Sequence, residues 1–388
     1  MKKTQVVIIG AGPSGLLLSQ LLARDGVDCL VLERQARPYV EARIRAGLLE
    51  WTTVELIRDA GVGERMLREG LVHDGFDLAF DGRSHRIDVK GLTGKNLLVY
   101  GQSELQKDLG DASADRVVWE AADVRIEDFT HAAHVSYLKD GVREVVEAEY
   151  IAGCDGYHGI CRASIPRDRV VEHERVYPFG WLGVLADVPP LHHELVYANH
   201  ERGFALCSQR SATRSRYYIQ CALNDQVEKW DDDRFWDELA RRLPADYVAK
   251  LVRGPSIEKS IAPLRSFVTE PMRFDRLFLV GDAAHIVPPT GAKGLNLAAS
   301  DVRVLHEGLV DYFRRQNDTL LAAYSSRALS RVWKATRFSW WFTTLMHRFG
   351  DETFAQRLQV AELDWIAQSA AGSAAMAENY AGLPFAAG

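Results

Sequence analysis

Three glycines near the start of the chain constrain its fold more than any other feature. Gly10, Gly12 and Gly15 are spaced as G-x-G-x-x-G, directly after an apolar run at residues 6–9 and directly before a leucine-rich segment with helical spacing. Glu33 follows the next apolar run. A strand, a glycine turn, a helix and a second strand that ends in an acid form the context of a dinucleotide-binding βαβ unit. In such a unit the glycines permit a tight turn, a close approach of backbone amides to a pyrophosphate and close helix–strand packing, while the acid accepts from ribose hydroxyls.

This fingerprint is shared by FAD-binding and NAD-binding proteins, so later segments are needed to choose between them. Gly281-Asp282 follows a predicted buried strand at residues 276–280, which is apolar from Leu277 onward, and precedes a helical segment. A carboxylate at that strand end, facing the same ligand, is suited to the ribityl chain of a flavin. Gly153-Cys154-Asp155-Gly156 ends a further strand pattern. A lone Gly-Asp is equally typical of a simple exit from a strand, but together with the amino-terminal fingerprint it favours FAD.

Composition excludes several other classes of protein. The 388 residues are 47% hydrophobic and 26% charged, and the net charge is 47 − 53 = −6, which is ordinary for a globular protein and lacks the basic excess of a nucleic-acid binder. No apolar run reaches the roughly 18 residues of a membrane span, and the first run is too short for a signal peptide. Five cysteines without a Cys-x-x-Cys pair favour a reduced, cytoplasmic protein. His131 and His134 lack further ligands nearby, so we expect no metal site.

The order of the predicted elements indicates an α/β protein in three parts. Residues 76–100 and 117–150 alternate in polarity, which predicts strands. Residues 176–222 combine aromatic and β-branched residues with alternation, which predicts an antiparallel sheet. The chain after Leu297 is mostly helical in pattern. We therefore expect a Rossmann-like FAD-binding domain at residues 1–175, an antiparallel substrate-binding sheet domain at residues 176–268, and a part at residues 269–388 that completes the FAD site and continues as a helical region.

The three motifs, in this order, resemble those of the class A flavoprotein aromatic hydroxylases. Residues 43–47, 208–218 and 281–296 are similar to the members that act on 4-hydroxybenzoate, and the similarity runs from Gln5 to about Pro384. The resemblance implies a cytoplasmic, homodimeric enzyme of aromatic catabolism with non-covalent FAD. It implies that NADH or NADPH reduces the flavin, and that O2 then hydroxylates 4-hydroxybenzoate at the 3 position to give 3,4-dihydroxybenzoate. A flavin oxidase or reductase that never hydroxylates, and a non-catalytic flavoprotein, remain open alternatives.

The resemblance also assigns the substrate contacts. Arg210 would anchor the carboxylate, with Ser208 and Tyr218 adding hydrogen bonds, and the Pro289 carbonyl would face the phenol oxygen. Ser208 and Arg210 are two apart on a predicted strand and therefore face one side, but spacing alone does not select Arg210 from the four arginines of residues 202–216.

A proton path completes the predicted catalytic group. By resemblance, Tyr197 bonds the phenol oxygen and passes its proton through Tyr380 to His73 at the surface. A donor that stabilises the phenolate would activate the ring. For either tyrosine taken alone, a core residue with a satisfied hydroxyl is the simpler interpretation.

The resemblance assigns further residues to the flavin. Lys293 is assigned more loosely to the electric field near the ring, and His285 is interpreted as a positioned core histidine. The expected cofactor contacts are Gly10, Gly12, Ser14, Gly15, Glu33, Arg43, Arg45, Gly47, Gln102, Arg216, Asp282, Leu295 and Asn296.

One departure from the family pattern bears on the nicotinamide nucleotide. Glu41-Ala42 stands where NADPH-using members have Leu-Gly, and a carboxylate there would repel a 2′-phosphate. Arg37 is a further new charge that offsets part of this repulsion. We therefore expect NADH to be favoured. The expected NAD(P)H contacts are Arg34, Gln35, Tyr39, Glu41, Arg43, His158, Arg162 and Arg265.

Overall fold

The computed structural model describes residues 2–42, 47–350 and 353–383. Arg43 and Arg45, two of the predicted cofactor contacts, lie outside these ranges. The strands are, in chain order, β1 Lys2–Lys3, β2 Val6–Ile9, β3 Cys29–Leu32, β4 Leu48–Glu50, β5 Leu71–His73, β6 Phe76–Phe80, β7 Arg83–Ile87, β8 Leu97–Val99, β9 Val117–Val118, β10 Ala122–Asp128, β11 Ala133–Lys139, β12 Val142–Ala148, β13 Tyr150–Gly153, β14 Val171–Ala186, β15 Leu195–Asn199, β16 Ala205–Ser211, β17 Arg214–Ala222, β18 Ser256–Glu270, β19 Arg273–Phe274, β20 Leu277–Leu279 and β21 His285–Ile286.

Helices cover the sheets and make up most of the chain after β21. Short 3₁₀ turns lie at Arg167–Arg169, Val227–Lys229, Gly281–Ala283 and Pro289–Gly291. The α-helices are α1 Pro13–Arg24, α2 Arg37–Glu41, α3 Trp51–Asp59, α4 Glu64–Glu69, α5 Val89–Thr93, α6 Gln102–Ala112, α7 Ile160–Ala163, α8 Asp232–Arg241, α9 Ala245–Val248, α10 Gly294–Arg315, α11 Thr319–Ala322, α12 Tyr324–Met346, α13 Thr353–Gln368 and α14 Ala370–Ala381.

A six-stranded sheet carries the glycine fingerprint. Its order is β19-β20-β13-β2-β3-β9, and all neighbours are parallel except β19 and β20. Its inner strand β2 is buried along its whole length, as expected for a parallel strand covered on both faces. The predicted βαβ unit is therefore confirmed as β2, α1 and β3. Because β13 pairs in parallel with both β2 and β20, all three glycine-and-acid motifs follow strands that end at one edge of this sheet.

An eight-stranded sheet forms the second layer. Its order is β21-β18-β14-β17-β16-β15-β6-β7, and its strands pair antiparallel except β15 with β6. The antiparallel sheet predicted for residues 176–222 is confirmed, and the mixed α/β class with it. Strands β6, β7 and β21 enter this sheet from outside residues 176–268, and the three-part domain division stays a prediction.

The two faces of this sheet pack against different helices. Tyr197 and Leu206 face a core that includes Phe342 of α12 and Tyr380 of α14. The neighbouring residues on the same strands face the opposite core, which includes Trp236 of α8. The carboxyl-terminal helices therefore cover the sheet face that carries the predicted substrate residues.

One predicted strand region is wrong in part. Residues 76–100 contain β6, β7 and β8, but helix α5 interrupts them. The Asp88 side chain caps α5 by accepting from the Gly91 amide, and Gly94 ends the helix with a φ of 72°. Aspartate at an N-cap and glycine at a helix end are local signals that outweigh the alternation of polarity.

A search of the described helices for a membrane span finds none that is long and apolar enough.

Candidate active site

The glycine turn is shaped for close approach by a ligand. Gly10 has a φ of 105°, and a Cβ at that position would overlap the backbone of Cys154. A Cβ at Gly15 would overlap the Gly10 carbonyl oxygen, so this glycine brings α1 against the turn. Gly12 is the N-cap of α1, makes no side-chain cap, and has no atom within 4 Å of where a Cβ would lie. The uncapped amides of the first turn fit a pyrophosphate group.

Glu33 is fixed at the end of β3 by the same turn. Its two carboxylate oxygens accept from the amides of Ala11 and Gln35, each at 2.9 Å. Gln106 of α6 donates its side-chain amide to the Ala11 carbonyl at 2.6 Å. The acid therefore has a set orientation, with lone pairs left for ribose hydroxyls, and Gln106 is a supporting residue that the sequence motif did not reveal.

A buried pair of ionisable groups holds the Gly281-Asp282 turn. Asp301 accepts from the Gly281 amide at 2.9 Å and from His285 Nε2 at 2.6 Å. Burial alone would lower the pKa of His285, but the adjacent Asp301 carboxylate raises it above its ordinary value. His285 is 2% exposed and Asp301 1%, which agrees with the interpretation of His285 as a positioned core histidine.

Asn296 joins α10 to β4. Its Oδ1 accepts from the Glu50 amide at 2.8 Å, while its Nδ2 donates to the carbonyls of Leu48 at 3.0 Å and Ala292 at 2.9 Å. The side chain is therefore fully engaged in holding the strand that follows Gly47. The predicted contacts of Asn296 and Gly47 with the flavin stay predictions.

A buried charge cluster lies beside this strand. Lys293 Nζ contacts Glu50 Oε1 at 2.7 Å and the Tyr380 carbonyl at 2.8 Å, and Arg331 contacts the other Glu50 oxygen at 3.0 Å. Burial lowers the pKa of Lys293. Nothing in the sequence pairs Glu50 with Lys293, because 243 residues separate them.

A small apolar pocket lies where the first turns of α1 and α10 approach each other. The predicted contacts Ser14 and Leu295 both line it. Gln102, another predicted contact, begins α6, and its backbone lies close to Gly47. The turn, the acid and this pocket together form a site that fits FAD.

The strand register brings the predicted substrate residues onto one sheet face. Leu206 pairs with both Tyr197 and Tyr218, so these three side chains form a row across β15, β16 and β17. Ser208 of β16 and Arg216 of β17 also pair, two residues along these strands from Leu206 and Tyr218. Residues two apart on a strand share a face, so both rows face α12 and α14.

The structure separates the four arginines that spacing could not. Arg202 and Arg214 are exposed and form ion pairs with Glu238 and Asp187. Arg210 donates to the backbone carbonyl of Gln209 at 3.1 Å, while its buried Nε has no hydrogen-bond partner among the described residues.

Burial lowers the pKa of Arg210. A buried guanidinium with a spare donor is costly unless an anion binds to it, so Arg210 suits a carboxylate ligand.

Arg216 differs from Arg210 in having an ion-pair partner, although its buried Nε and Nη1 also lack a hydrogen-bond partner among the described residues. Its guanidinium contacts Glu258 at 3.1 Å and Ser260 Oγ at 3.1 Å, and lies 5.3 Å from the centre of the Tyr218 ring. Ser208 donates its hydroxyl to the Arg216 carbonyl at 2.8 Å. Glu258 and Ser260 are partners that the sequence did not indicate, since they come from β18.

The predicted tyrosine pair is in contact. The hydroxyl oxygens of Tyr197 and Tyr380 are 2.7 Å apart, and each residue is 1% exposed. The Phe76 ring packs against both. Burial raises the pKa of each tyrosine, so both stay protonated at neutral pH and form a chain of two hydroxyl donors.

The prediction that His73 lies at the surface is wrong. His73 is 1% exposed, because the Gln209 side chain lies against its Nε2 and β8 pairs with its strand. Burial lowers its pKa to about 4. His73 is therefore neutral at ordinary pH.

Pro289 begins the 3₁₀ turn Pro289–Gly291. Its carbonyl accepts from the Ala292 amide at 2.9 Å. A carbonyl has a second lone pair, so this bond leaves the predicted contact with a substrate oxygen untested.

The predicted nicotinamide contacts form two groups. The first group lies at α2, where Arg34 just before the helix and Tyr39 within it are exposed, and where Arg37 contacts Glu41 at 2.6 Å and also Asp111.

The other predicted nicotinamide contacts surround Tyr157, a residue that the sequence did not single out. Arg162 and Arg265 lie 4.7 and 4.8 Å from its ring centre, and the neighbouring His158 is exposed. Arg162 already donates to the carbonyls of Ala283 and Tyr157.

Comparison with known proteins covers nearly the whole chain. Residues 3–339 match the family model described as FAD binding domain. The chain is 54% identical to p-hydroxybenzoate hydroxylase of Acinetobacter baylyi, over 99% of this chain and 96% of that protein. It is 26% identical to a probable NADH-specific resorcinol 4-hydroxylase of Rhodococcus jostii, over 84% of this chain and 62% of that protein.

The solved structures that are similar share the fold at low identity. One is p-nitrophenol 4-monooxygenase from Pseudomonas putida, with a TM-score of 0.82, 16% identity, and coverage of 99% of this chain and 100% of that one. Another is a probable FAD-dependent monooxygenase from Pseudomonas aeruginosa, with a TM-score of 0.79, 18% identity, and coverage of 93% and 100%.

Proposed function

The chain belongs to the FAD binding domain family, as a class A flavoprotein aromatic hydroxylase, and from this premise we propose that it hydroxylates 4-hydroxybenzoate at the 3 position. The products are 3,4-dihydroxybenzoate and water, and the co-substrates are O2 and a reduced nicotinamide nucleotide. One observation carries the choice of substrate: Arg210, whose buried Nε has no hydrogen-bond partner among the described residues, lies near Tyr218, in the row of side chains that also contains Tyr197 of the Tyr197–Tyr380 pair.

The chemistry of 4-hydroxybenzoate matches this face at both ends. Its carboxylate needs a planar cation, which Arg210 supplies, with Ser208 and Tyr218 on the neighbouring rows. Its phenol needs a group that donates to the developing phenolate, which Tyr197 supplies. The apolar ring would lie among side chains of the core that contains Leu206 and Trp181.

Non-covalent FAD would be held by the uncapped amides of α1, by Glu33 at a ribose, and by Asp282 and the start of α10. When bound, FAD would supply the hydride acceptor and the means of activating O2. Arg216 would supply a positive charge that favours the anionic form of the reduced cofactor.

The tyrosines activate the substrate. The bound phenol gives its proton to the Tyr197 oxygen as Tyr197 donates to Tyr380, and Tyr380 passes a proton on toward His73. Because burial raises the pKa of both tyrosines, each returns to its protonated form, and Tyr197 remains a donor to the phenolate. The phenolate ring is richer in electrons than the phenol, which favours attack by an electrophilic oxygen. Burial of the pair excludes water from the path.

NADH is the proposed preferred reductant. Arg37 contacts both Glu41 and Asp111, so the three side chains carry a combined charge of 1 − 2 = −1 beside α2. Arg34, Gln35, Tyr39 and the Tyr157 group would bind the rest of the nucleotide. A local negative charge disfavours the 2′-phosphate of NADPH.

We also propose a homodimer that works in the cytoplasm. Phe354, Leu358 and Trp365 of α13 are 73%, 55% and 55% exposed, and such an apolar helix face is typical of an interface between subunits. Trp365→Glu should then shift the mass measured by light scattering to that of a monomer. All five cysteines are buried free thiols, which supports a reducing compartment.

The test of function is to add 4-hydroxybenzoate to the purified flavoprotein and follow nucleotide oxidation, O2 uptake and product together. We expect one 3,4-dihydroxybenzoate for each nucleotide oxidised. Hydrogen peroxide in place of product would indicate an oxidase, and nucleotide oxidation that does not respond to 4-hydroxybenzoate, 4-aminobenzoate or simple phenols would indicate a non-catalytic flavoprotein. Benzoate, which lacks the phenol, is the matched control and should give no hydroxylated product.

A further inference from the structure

Gln209 lies between the two substrate residues of β16 and points to the other side of the strand. Its side-chain nitrogen lies within hydrogen-bond distance of two groups, the His193 carbonyl at 2.8 Å and Nε2 of His73. An amide NH2 carries two hydrogens and no available lone pair, so it donates to both groups at once.

The His193 carbonyl fixes which way this amide points. Turning the amide by 180° would place its oxygen against the carbonyl oxygen of His193, and two acceptors would face each other. With the nitrogen in place, His73 Nε2 must be the acceptor and the ring proton must lie on Nδ1. His73 Nδ1 is buried and has no hydrogen-bond partner among the residues described.

The charged groups around His73 act on its pKa in opposite directions, since the carboxylates raise it and the histidines lower it. Those that face it are Glu194, Asp74, His192 and His193. Glu194, which would attract a proton, is already engaged by two nitrogens of Arg86 at 2.7 and 2.8 Å and by the Asp74 amide at 3.0 Å. Burial therefore prevails, and the pKa of His73 falls to about 4.

This arrangement prevents His73 from receiving a proton on either nitrogen. Nε2 faces an N–H donor, and Nδ1 already holds its proton. Nδ1 can accept a proton only if the ring proton first moves to Nε2, and Nε2 must then face a hydrogen-bond acceptor. Gln209 Oε1 becomes that acceptor when the amide turns, at the expense of the bond to the His193 carbonyl.

We propose that Gln209 is a positioning residue that holds His73 in the neutral Nδ1–H tautomer, and that its turn opens the proton path from Tyr380. The proposal rests on the proposed function, because it assumes that the substrate phenol is ionised through the tyrosines. In the open state the phenol O–H bond breaks and an N–H bond forms at His73 Nδ1. The imidazolium then gives its Nε2 proton to a water molecule that reaches the buried ring, and the ring returns to the neutral Nδ1–H form. No electron is transferred in these steps.

The tautomer can be tested without substrate by ¹⁵N NMR of the holoenzyme labelled at histidine, with His73→Asn to assign the signals. We expect a protonated Nδ1, an unprotonated Nε2, and no titration of His73 between pH 6 and pH 8. Gln209→Glu replaces the donor with a carboxylate, which should place the proton on Nε2 and raise the pKa of His73 by about 1–3 units. A wild-type His73 protonated at Nε2, or a pKa that Gln209→Glu leaves unchanged, would overturn the proposal.

Two further variants separate this effect from damage to the fold. Ser211→Asp adds a charge to an exposed position of the same strand and should leave His73 unchanged. Gln209→Leu has neither donor nor acceptor and should yield a mixture of tautomers, whereas an unchanged Nδ1–H form would contradict the role of the amide. FAD content and the melting temperature show whether each variant is folded.

A kinetic measurement links the tautomer to the reaction. Ionisation of bound 4-hydroxybenzoate is followed by its phenolate absorbance after rapid mixing at a pH above the raised pKa of the variant. Gln209→Glu should ionise the ligand several-fold faster than wild type with an unchanged Kd, and an unchanged rate would contradict the proposed opening. If the wild type binds no 4-hydroxybenzoate, the proposed function fails, while the NMR result still decides how Gln209 holds His73.

Discussion

The glycine turn and the covered sheet face differ in how their parts are assembled. In the turn, Ala11 and Glu33 are 22 residues apart and belong to one βαβ unit. On the sheet face and beside it, Tyr197 meets Tyr380 over 183 residues and Lys293 meets Glu50 over 243. The first site is a property of a local motif, whereas the second exists only when three layers of the molecule are packed together.

The two regions also differ in how well their charged groups are bonded. Glu33 has a backbone donor on each oxygen, so the turn is prepared before a ligand arrives. Arg210 keeps a buried donor without a partner among the described residues. A buried charge of this kind lowers stability and is retained where a ligand completes its bonding. On the proposed function, the binding groups of the turn are set in place by folding alone, whereas Arg210 on the sheet face carries a stability cost that a bound carboxylate would remove.

The largest effect is expected in the turn, from Gly12→Ala. Its methyl group meets no atom of the protein, so the fold should be unchanged, but it would occupy the approach to the α1 amides. Losing two charge-assisted hydrogen bonds costs about 3–6 kcal/mol, which weakens FAD binding by more than about 100-fold. The ratio of flavin to protein absorbance and a titration with FAD measure this loss.

Gly15→Ala provides the contrast. Its methyl group would overlap the Gly10 carbonyl, so this variant should lose thermal stability as well as FAD. If Gly12→Ala retains full FAD affinity, the pyrophosphate does not approach at this turn, and the distinction between the two regions fails.

The second prediction concerns the sheet face, where Arg210→Ala should weaken binding of 4-hydroxybenzoate by at least about 10-fold, since it removes a charged hydrogen bond worth about 1.5–3 kcal/mol. The ligand-free protein should be no less stable, because an incompletely bonded buried cation is removed. Fluorescence titration and urea unfolding measure the two effects. Arg214→Ala is the matched control on the next strand, and equal binding losses in the two variants would mean that another cation anchors the carboxylate.

The same contrast explains what the sequence predicted. The βαβ unit and the antiparallel sheet follow from glycine spacing and alternation, which are local patterns. The choice of Arg210, and the contact of Tyr197 with Tyr380, required a resemblance to a known family, because spacing alone left four arginines and many tyrosines. The burial of His73 and its bond to Gln209 were missed, since they depend on how the three-stranded sheet of β4, β8 and β5 packs against the eight-stranded sheet.

The third prediction concerns the two half-reactions and the tyrosine pair. Tyr197→Phe removes the donor to the phenolate but keeps the ring, so NADH should still be oxidised while O2 is increasingly released as hydrogen peroxide. The yield of 3,4-dihydroxybenzoate per NADH should fall several-fold. Tyr177→Phe, which removes the hydroxyl of another buried tyrosine of the same sheet, should leave that yield unchanged. A fully coupled Tyr197→Phe enzyme would exclude the proton path through this pair.

The smallest effect is expected outside both regions, at α2. Glu41→Leu removes one of the two acidic partners of Arg37. The net charge of Arg37, residue 41 and Asp111 then changes from −1 to 1 − 1 = 0. A single half-exposed charge contributes about 0.2–1 kcal/mol, so the preference should move toward NADPH by up to roughly fivefold in kcat/KM. Wild type should use NADH at least as well as NADPH, and raised salt should narrow the difference because it screens the charges.

Asp111→Asn removes the other acid and should act in the same direction, which separates the charge of the cluster from the shape of the Glu41 side chain. A strong NADPH preference in the wild type would show that Arg34 and Arg37 outweigh both acids, and that this helix adds attraction where we predict repulsion.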